Sequence, residues 1–239
     1  MANFSTHLNT AVIVTGISSA SLLTANHINL NDALWLWFLG SIGGLLPDID
    51  SDNSTSLNTI FNLFAFSCAF FALRYITSNP LIHVSFIELI FTPLLVFAFM
   101  KYILRPIFEK ITVHRGSCHS LLFLLFSALL TTQVTWKLNN QVIIDSAAFS
   151  WLCGGFVLLG GLVHLLLDEL YSVDLSNVRI KRSFGTALKV VEWDNKLLSL
   201  VTLIAVIGLI YIAPPINEVI KLLSDWSTFQ FRSINLINF

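Results

Sequence analysis

Charge is what this chain lacks most. Only 11% of its 239 residues are Asp, Glu, Lys or Arg, while 55% are hydrophobic. A soluble domain carries about 25% charged residues, so a folded globule of this length would have too little polar surface for water. The shortage points to a multi-pass membrane protein. The remaining charge is nearly balanced, at net −1, which gives no general attraction to nucleic acid. Cysteine is scarce as well. Cys68, Cys118 and Cys153 form no C-x-x-C pair, which argues against a disulfide framework and against a cysteine zinc site. The N-terminus has no basic n-region and its first apolar run no A-x-A site, so that run is expected to be retained. No internal repeat or low-complexity linker interrupts the chain, and one domain over residues 1–239 is the simplest expectation.

Apolar runs are plentiful. Judged against the roughly 20 residues that cross a bilayer, hydropathy marks about seven spans. They run from about Leu8 to Leu23, Ala33 to Leu46, Leu57 to Ile76, Leu81 to Leu104, Ser120 to Trp136, Ser146 to Leu170 and Leu197 to Tyr211. The first two are short, and Pro93 is expected to kink the fourth. An amphipathic stretch follows Pro214-Pro215. The expected fold is all-α, a polytopic membrane helix bundle of about seven membrane-embedded helices.

One stretch joins an apolar run to a row of acids: Gly43-Gly44-Leu45-Leu46-Pro47-Asp48-Ile49-Asp50-Ser51-Asp52. Pro47 disfavours helix at Leu46 and ends whatever helix precedes it. If the segment is extended, Asp48, Asp50 and Asp52 share a side and face one point, a natural home for a cation.

Threading the spans brings other ligands to the same face. Span one leaves the side of the N-terminus and span two returns to it, delivering Pro47 to Asp52 there. Spans four and six end on that side too. Of the 13 Lys and Arg residues, nine fall on it (Lys101, Arg105, Lys110, Arg115, Arg179, Lys181, Arg182, Lys189 and Lys196) and four opposite (Arg74, Lys137, Lys221 and Arg232). The positive-inside rule makes it the cytoplasmic side. His7, His114, His119 and His164 fall there with Asp48, Asp50, Asp52 and Asp168. His27 and His83 are expected to take no part.

His164 and Asp168 are four residues apart, one helical face. Gly154, Gly155, Gly160 and Gly161 on the same segment would let neighbouring helices approach closely. A His–Asp pair that ties two helices together is the plainer reading. Ionisable groups within a span are costly, however, and are usually functional. In His114-Arg115-Gly116-Ser117-Cys118-His119-Ser120, Ser120 is an expected N-cap and Gly116 admits a tight turn. Arg115 offers a fork suited to phosphate, although it would serve equally as a topology marker. Cys118 is given no role. The polar loop Tyr171 to Lys196 carries Lys181, Arg182 and Lys189, enough charge to receive an anionic head group or simply to mark a cytoplasmic loop. Imidazole suits zinc, while carboxylates suit zinc, manganese or magnesium.

Together these motifs, His7, Leu46-Pro47-Asp48-Ile49-Asp50, His114-Arg115-Gly116 with His119-Ser120, and His164 with Asp168, resemble the YdjM-type, LexA-regulated, inner-membrane-associated metal-dependent hydrolases. The resemblance runs from His7 to about Lys189. It implies a multi-pass protein of the bacterial inner membrane with a hydrolase metal site. That ligand pattern is broadly similar to the His/Asp set of zinc-dependent phospholipases C.

The expectation is therefore hydrolysis of a phosphoester in a membrane lipid or lipid-linked substrate. His7, Asp48, Asp50, His114, His119, His164 and Asp168 would hold one or more divalent ions, zinc first, manganese or magnesium otherwise. Asp50 would act as general base or bridging ligand, Arg115 would stabilise developing charge, and His119 completes the catalytic set. Arg115, Ser120, Lys181, Arg182 and Lys189 would bind substrate. Two other classes fit less well. A divalent-metal transporter would place ligands near mid-span, whereas these gather at span ends. A non-catalytic scaffold leaves the ionisable groups within spans unexplained.

Overall fold

The computed structural model describes residues 3–50, 55–78, 85–107, 118–139, 146–174, 179–180, 188–191, 193, 195–227 and 229. Helix dominates. The elements are α1 (Phe4–Thr24), α2 (Leu30–Gly43), a 3₁₀ turn (Pro47–Asp50), α3 (Thr55–Ser78), α4 (Phe86–Phe99), a π-helical turn (Met100–Leu104) that continues α4, α5 (Leu121–Asn139), α6 (Ser146–Ser172), α7 (Lys196–Tyr211) and α8 (Asn217–Ser224). Among the described residues the one strand pairing is the two-residue antiparallel match of β1 (Val173–Asp174) with β2 (Arg179–Ile180). Helices α1 to α7 fall on the seven apolar runs of the sequence. Among the described residues three helical stretches, Phe86–Ile107, Leu121–Leu138 and Ala147–Ser172, are long and apolar enough to cross a membrane. Leu57–Phe70 and Lys196–Tyr211 are shorter apolar helices.

The chain divides into two compact units, Met1–Pro47 with Gly116–Phe239, and Asp48–Arg115. In the first, α6 is the central element, packed by α1, α2, α5 and α8, while α7 packs on α5. Small residues make this close packing available. The buried stripe of α1 is His7, Ala11, Thr15, Ser19 and Leu22, which lets neighbouring backbones come near. Its hydroxyls fold back onto the helix, as Thr15 Oγ1 does to the Ala11 carbonyl at 2.7 Å. Polar side chains are thereby satisfied without water. At Gly160 of α6 a Cβ would collide with the Gly40 carbonyl of α2, so only glycine permits this crossing. Gly155 faces open space instead, so of the four α6 glycines it is the one that brings no neighbour closer. Leu22, Leu36, Ala148, Leu152, Cys153, Phe156 and Val219 form the apolar core.

Polar caps set the helix ends. Asn3 and Asn29 accept the Thr6 and Asp32 backbone N–H groups at 2.8 and 2.9 Å, closing the first turns of α1 and α2. Asn26 in the turn between them has φ 57°, a left-handed conformation that asparagine tolerates. The α2 helix stops at Gly43, and Pro47 opens the 3₁₀ turn that follows.

The second unit is the hairpin of α3 with α4 and its π turn. Ser85 and Glu88 form a capping box at the start of α4. Pro93 lies inside that helix.

Candidate metal centre

Four side chains of the first unit meet at one point. His7 lies on the first turn of α1, His119 just ahead of α5, and His164 and Asp168 near the C-terminal end of α6. The Asp168 carboxylate is the hub. Its Oδ1 is 3.3 Å from His7 Nε2, and its Oδ2 is 3.7 Å from both His119 Nε2 and His164 Nε2. The side chains of His7, His164 and Asp168 are almost wholly buried, and that of His119, at 13% exposure, is the most open. The His7 and His164 rings stack at 3.7 Å with 11° between planes. His119 stands edge-on to His164 at 5.5 Å.

One long-range contact fixes the chemistry of His164. Its Nδ1 is 2.7 Å from the Gly44 carbonyl oxygen. A carbonyl only accepts, so Nδ1 is the N–H donor, and in the neutral ring Nε2, which faces Asp168, carries the lone pair. This is the outer-shell bond that orients imidazole ligands of metals. Neither ring nitrogen of His7 makes a hydrogen bond. Its Nε2 is near Asp168 Oδ1 but misaligned for one, as a group aimed at a shared third point would be. Donor atoms held by an ion with bonds of about 2.1 Å stand about 3.4 Å apart at tetrahedral angles. The observed separations to Asp168 bracket that spacing. Three imidazoles and one carboxylate suit zinc above magnesium or calcium, which take oxygen ligands. His119, His164 and Asp168 each offer a ligand atom, and all three atoms lie within 4.8 Å of one another.

Local structure explains how each residue arrives. The i, i+4 spacing on α6 puts His164 and Asp168 on one face. Ser120 is buried, and its Oγ accepts the Phe123 N–H at 3.2 Å, the expected N-cap of α5. The next two free N–H groups of α5, those of Leu121 and Leu122, bond the carbonyls of Lys189 and Val190 at 3.0 and 3.1 Å. Those bonds hold Lys189 beside the segment that presents His119.

A family model, YdjM inner membrane protein, matches residues 1–216 and so runs across both units. The chain belongs to the YdjM inner membrane protein family. No curated protein and no solved structure matches it. Within this YdjM chain the other expected site residues stand as follows. The acidic stretch is not extended: Pro47–Asp50 is a 3₁₀ turn, in which residues two apart point roughly 120° away from each other. The alternation expected from sequence therefore does not hold for the backbone of this turn. Asp48 is half-buried and belongs to the second unit. The Asp50 side chain, Asp52, His114, Arg115, Lys181 and Arg182 lie outside the described residues, as does His83. His27 packs edge-on against Trp226. Sequence reasoning missed the Gly44 carbonyl, for which the only signal was the Gly43-Gly44 pair ahead of Pro47.

Proposed function

We propose that this YdjM protein is a membrane-embedded, metal-dependent hydrolase acting on a phosphoester, or a related ester, of a lipid or lipid-linked substrate at the cytoplasmic face of the membrane. The supporting observation is the convergence of three imidazole Nε2 atoms on the buried Asp168 carboxylate, with His164 locked by Gly44 in the tautomer a metal requires. His7, His119, His164 and Asp168 would hold a divalent ion, zinc first. Such an ion supplies Lewis acidity and a water whose pKa falls from 15.7 toward about 7.

The chain's own residues do the rest. His119, the most open of the four, faces the side from which substrate approaches. Lys189, tethered through its carbonyl to α5, offers a cation for a phosphate oxygen. From the sequence alone, Arg115, Lys181 and Arg182 join it in binding substrate, and Arg115 stabilises charge developing on the phosphoryl group, whereas Ser120, expected to bind substrate, is buried as the N-cap of α5. Asp50 serves as general base, with Asp48 and His114 as additional ligands.

The test is metal analysis of detergent-purified protein, paired with turnover on phospholipid and lipid-phosphate substrates. One tightly held zinc per chain, lost together with turnover in His164→Ala, supports the reading. Protein that holds no stoichiometric divalent metal after reconstitution overturns it. Metal flux into vesicles without turnover on any lipid would favour a transporter.

A further inference from the structure

The hairpin of the second unit carries a polar seam that the proposed chemistry does not use. The Phe86–Ile107 stretch is long and apolar enough to cross a membrane. Its charged residues are Glu88, in the first-turn capping box, and Lys101 and Arg105 near the other end. Lys101 and Arg105 are four apart, a spacing at which like charges repel. Arg105 reaches α3, and Lys101 lies over a ring that packs on α3. Phe97 packs on Phe66 of α3 at 4.9 Å between centroids, and Lys101 Nζ lies 5.6 Å over that same Phe97 ring. One turn further on, Arg105 Nη1 donates to Asn58 Oδ1 of α3. Phe97, Lys101 and Arg105 thus form one stripe along the seam.

The register adds a fourth member. Eight positions separate Asn58 from Phe66, and eight separate Phe97 from Arg105. This antiparallel register sets Asn62, half-buried on α3, opposite Lys101. By this register Lys101 faces an amide, while Arg105 bonds another among its contacts, and among the described residues Lys101 has no carboxylate partner. The π turn Met100–Leu104, closed by the Arg105 N–H on the Met100 carbonyl, contains Lys101 and ends against Arg105. Such turns interrupt regular helix bonding and recur at functional sites.

We propose that Lys101, Arg105 and Asn62, on the seam between α3 and α4, form a binding site for the phosphate of an anionic phospholipid head group. The ammonium, the guanidinium and the amide N–H offer converging donors to a multi-oxygen anion. Their height fits a lipid source. Arg105 directly follows Leu104, where the apolar run of the sequence ends, and Lys101 precedes Arg105 by four residues, so at about 1.5 Å per residue the pair spans ~6 Å at that end of the run. Basic pockets between helices at that level bind acidic lipids. Phosphatidylglycerol carries a net negative charge, whereas the choline of phosphatidylcholine offsets its phosphate.

The test is binding of phosphatidylglycerol, phosphatidylcholine and inorganic phosphate to the full-length protein in detergent, read by native mass spectrometry and by thermal midpoint. The wild type should retain phosphatidylglycerol over phosphatidylcholine, and Lys101→Gln should weaken that binding about five- to tenfold. Asn62→Asp, which sets a carboxylate opposite Lys101, should abolish the preference while leaving both cations in place. It therefore serves as the decisive variant should Lys101→Gln fold poorly. Equal retention of the two lipids by wild type, or an unchanged preference in Asn62→Asp, overturns the proposal. Protection by inorganic phosphate equal to that by phosphatidylglycerol overturns the lipid assignment. Neither variant touches the His7–His119–His164–Asp168 cluster, so metal content should stay at the wild-type value, and failure here leaves the hydrolase reading standing.

Discussion

Helices α4 and α6 are both apolar enough to cross a bilayer, yet 61% of the apolar stretch of α6 is buried within the protein against 6% for that of α4. Hydropathy does not separate them; side-chain size does. Helix α6 is rich in Gly, Ala, Ser and Cys, and Ala147, Ala148, Ser150, Cys153 and Gly160 are buried. The α4 helix is built of Phe, Leu and Ile without a glycine, and Phe86, Ile87, Phe91, Leu94, Leu95 and Phe99 are exposed. Apolar side chains gain nothing by leaving lipid tails for one another, so helices associate in membranes through close backbone approach and polar contacts. Small residues supply the approach. The polar groups then gather where it occurs: His164 and Asp168 on α6, and His7 on the α1 stripe. The contrast teaches that the ionisable cluster and the small-residue packing belong together, since water is kept out only where backbones close up.

The sharpest way to break that comparison is at the hub. Asp168→Asn keeps the shape and removes the carboxylate charge shared by three imidazoles. Bound metal, read by elemental analysis, should fall to background, and turnover should drop by about 100-fold or more. A variant that keeps its metal would separate the cluster from metal binding. Next comes Gly160→Leu, whose side chain must occupy the space of the Gly40 carbonyl. It should destabilise the first unit by about 2–4 kcal/mol, whereas Leu95→Ala on the exposed face of α4 should change stability by less than about 0.5 kcal/mol. Thermal unfolding in matched detergent compares the two, and equal effects would erase the distinction between the helices. Ser120→Ala removes the cap of α5 and should cost about 1 kcal/mol, with weaker metal retention because His119 is its immediate neighbour. The smallest effect is expected at Gly155, which faces open space. There Gly155→Ala should stabilise by about 0.5–1 kcal/mol through helix propensity alone, the opposite sign to Gly160 on the same helix.

Much of the fold was legible in the sequence because its signals are local. Runs of apolar residues marked α1 to α7, Ser120 announced the start of α5, Pro47 marked a stop, and the spacing of His164 and Asp168 put them on one face. The glycines of α6 gave close approach at Gly154, Gly160 and Gly161, though nothing local told Gly155 apart. The acidic stretch misled, since alternating aspartates read as an extended row while Pro47 in fact opens a 3₁₀ turn. Proline fits the first position of a helical turn because its fixed φ and missing N–H cost nothing there. His7 was weak by sequence, a lone histidine near the start of a chain, and its place became visible only beside Asp168.

By itself, the sequence determined that the chain is helical and apolar, that two ionisable groups share a face of α6, and which helices have side chains small enough to pack tightly. The tertiary structure alone decided that His7 and His119 join them and that a carbonyl 120 positions before His164 in the chain selects its tautomer. The reason is range. Periodicity and capping act over a few residues, whereas a metal shell is assembled from helix ends whose meeting depends on the packing of several helices at once.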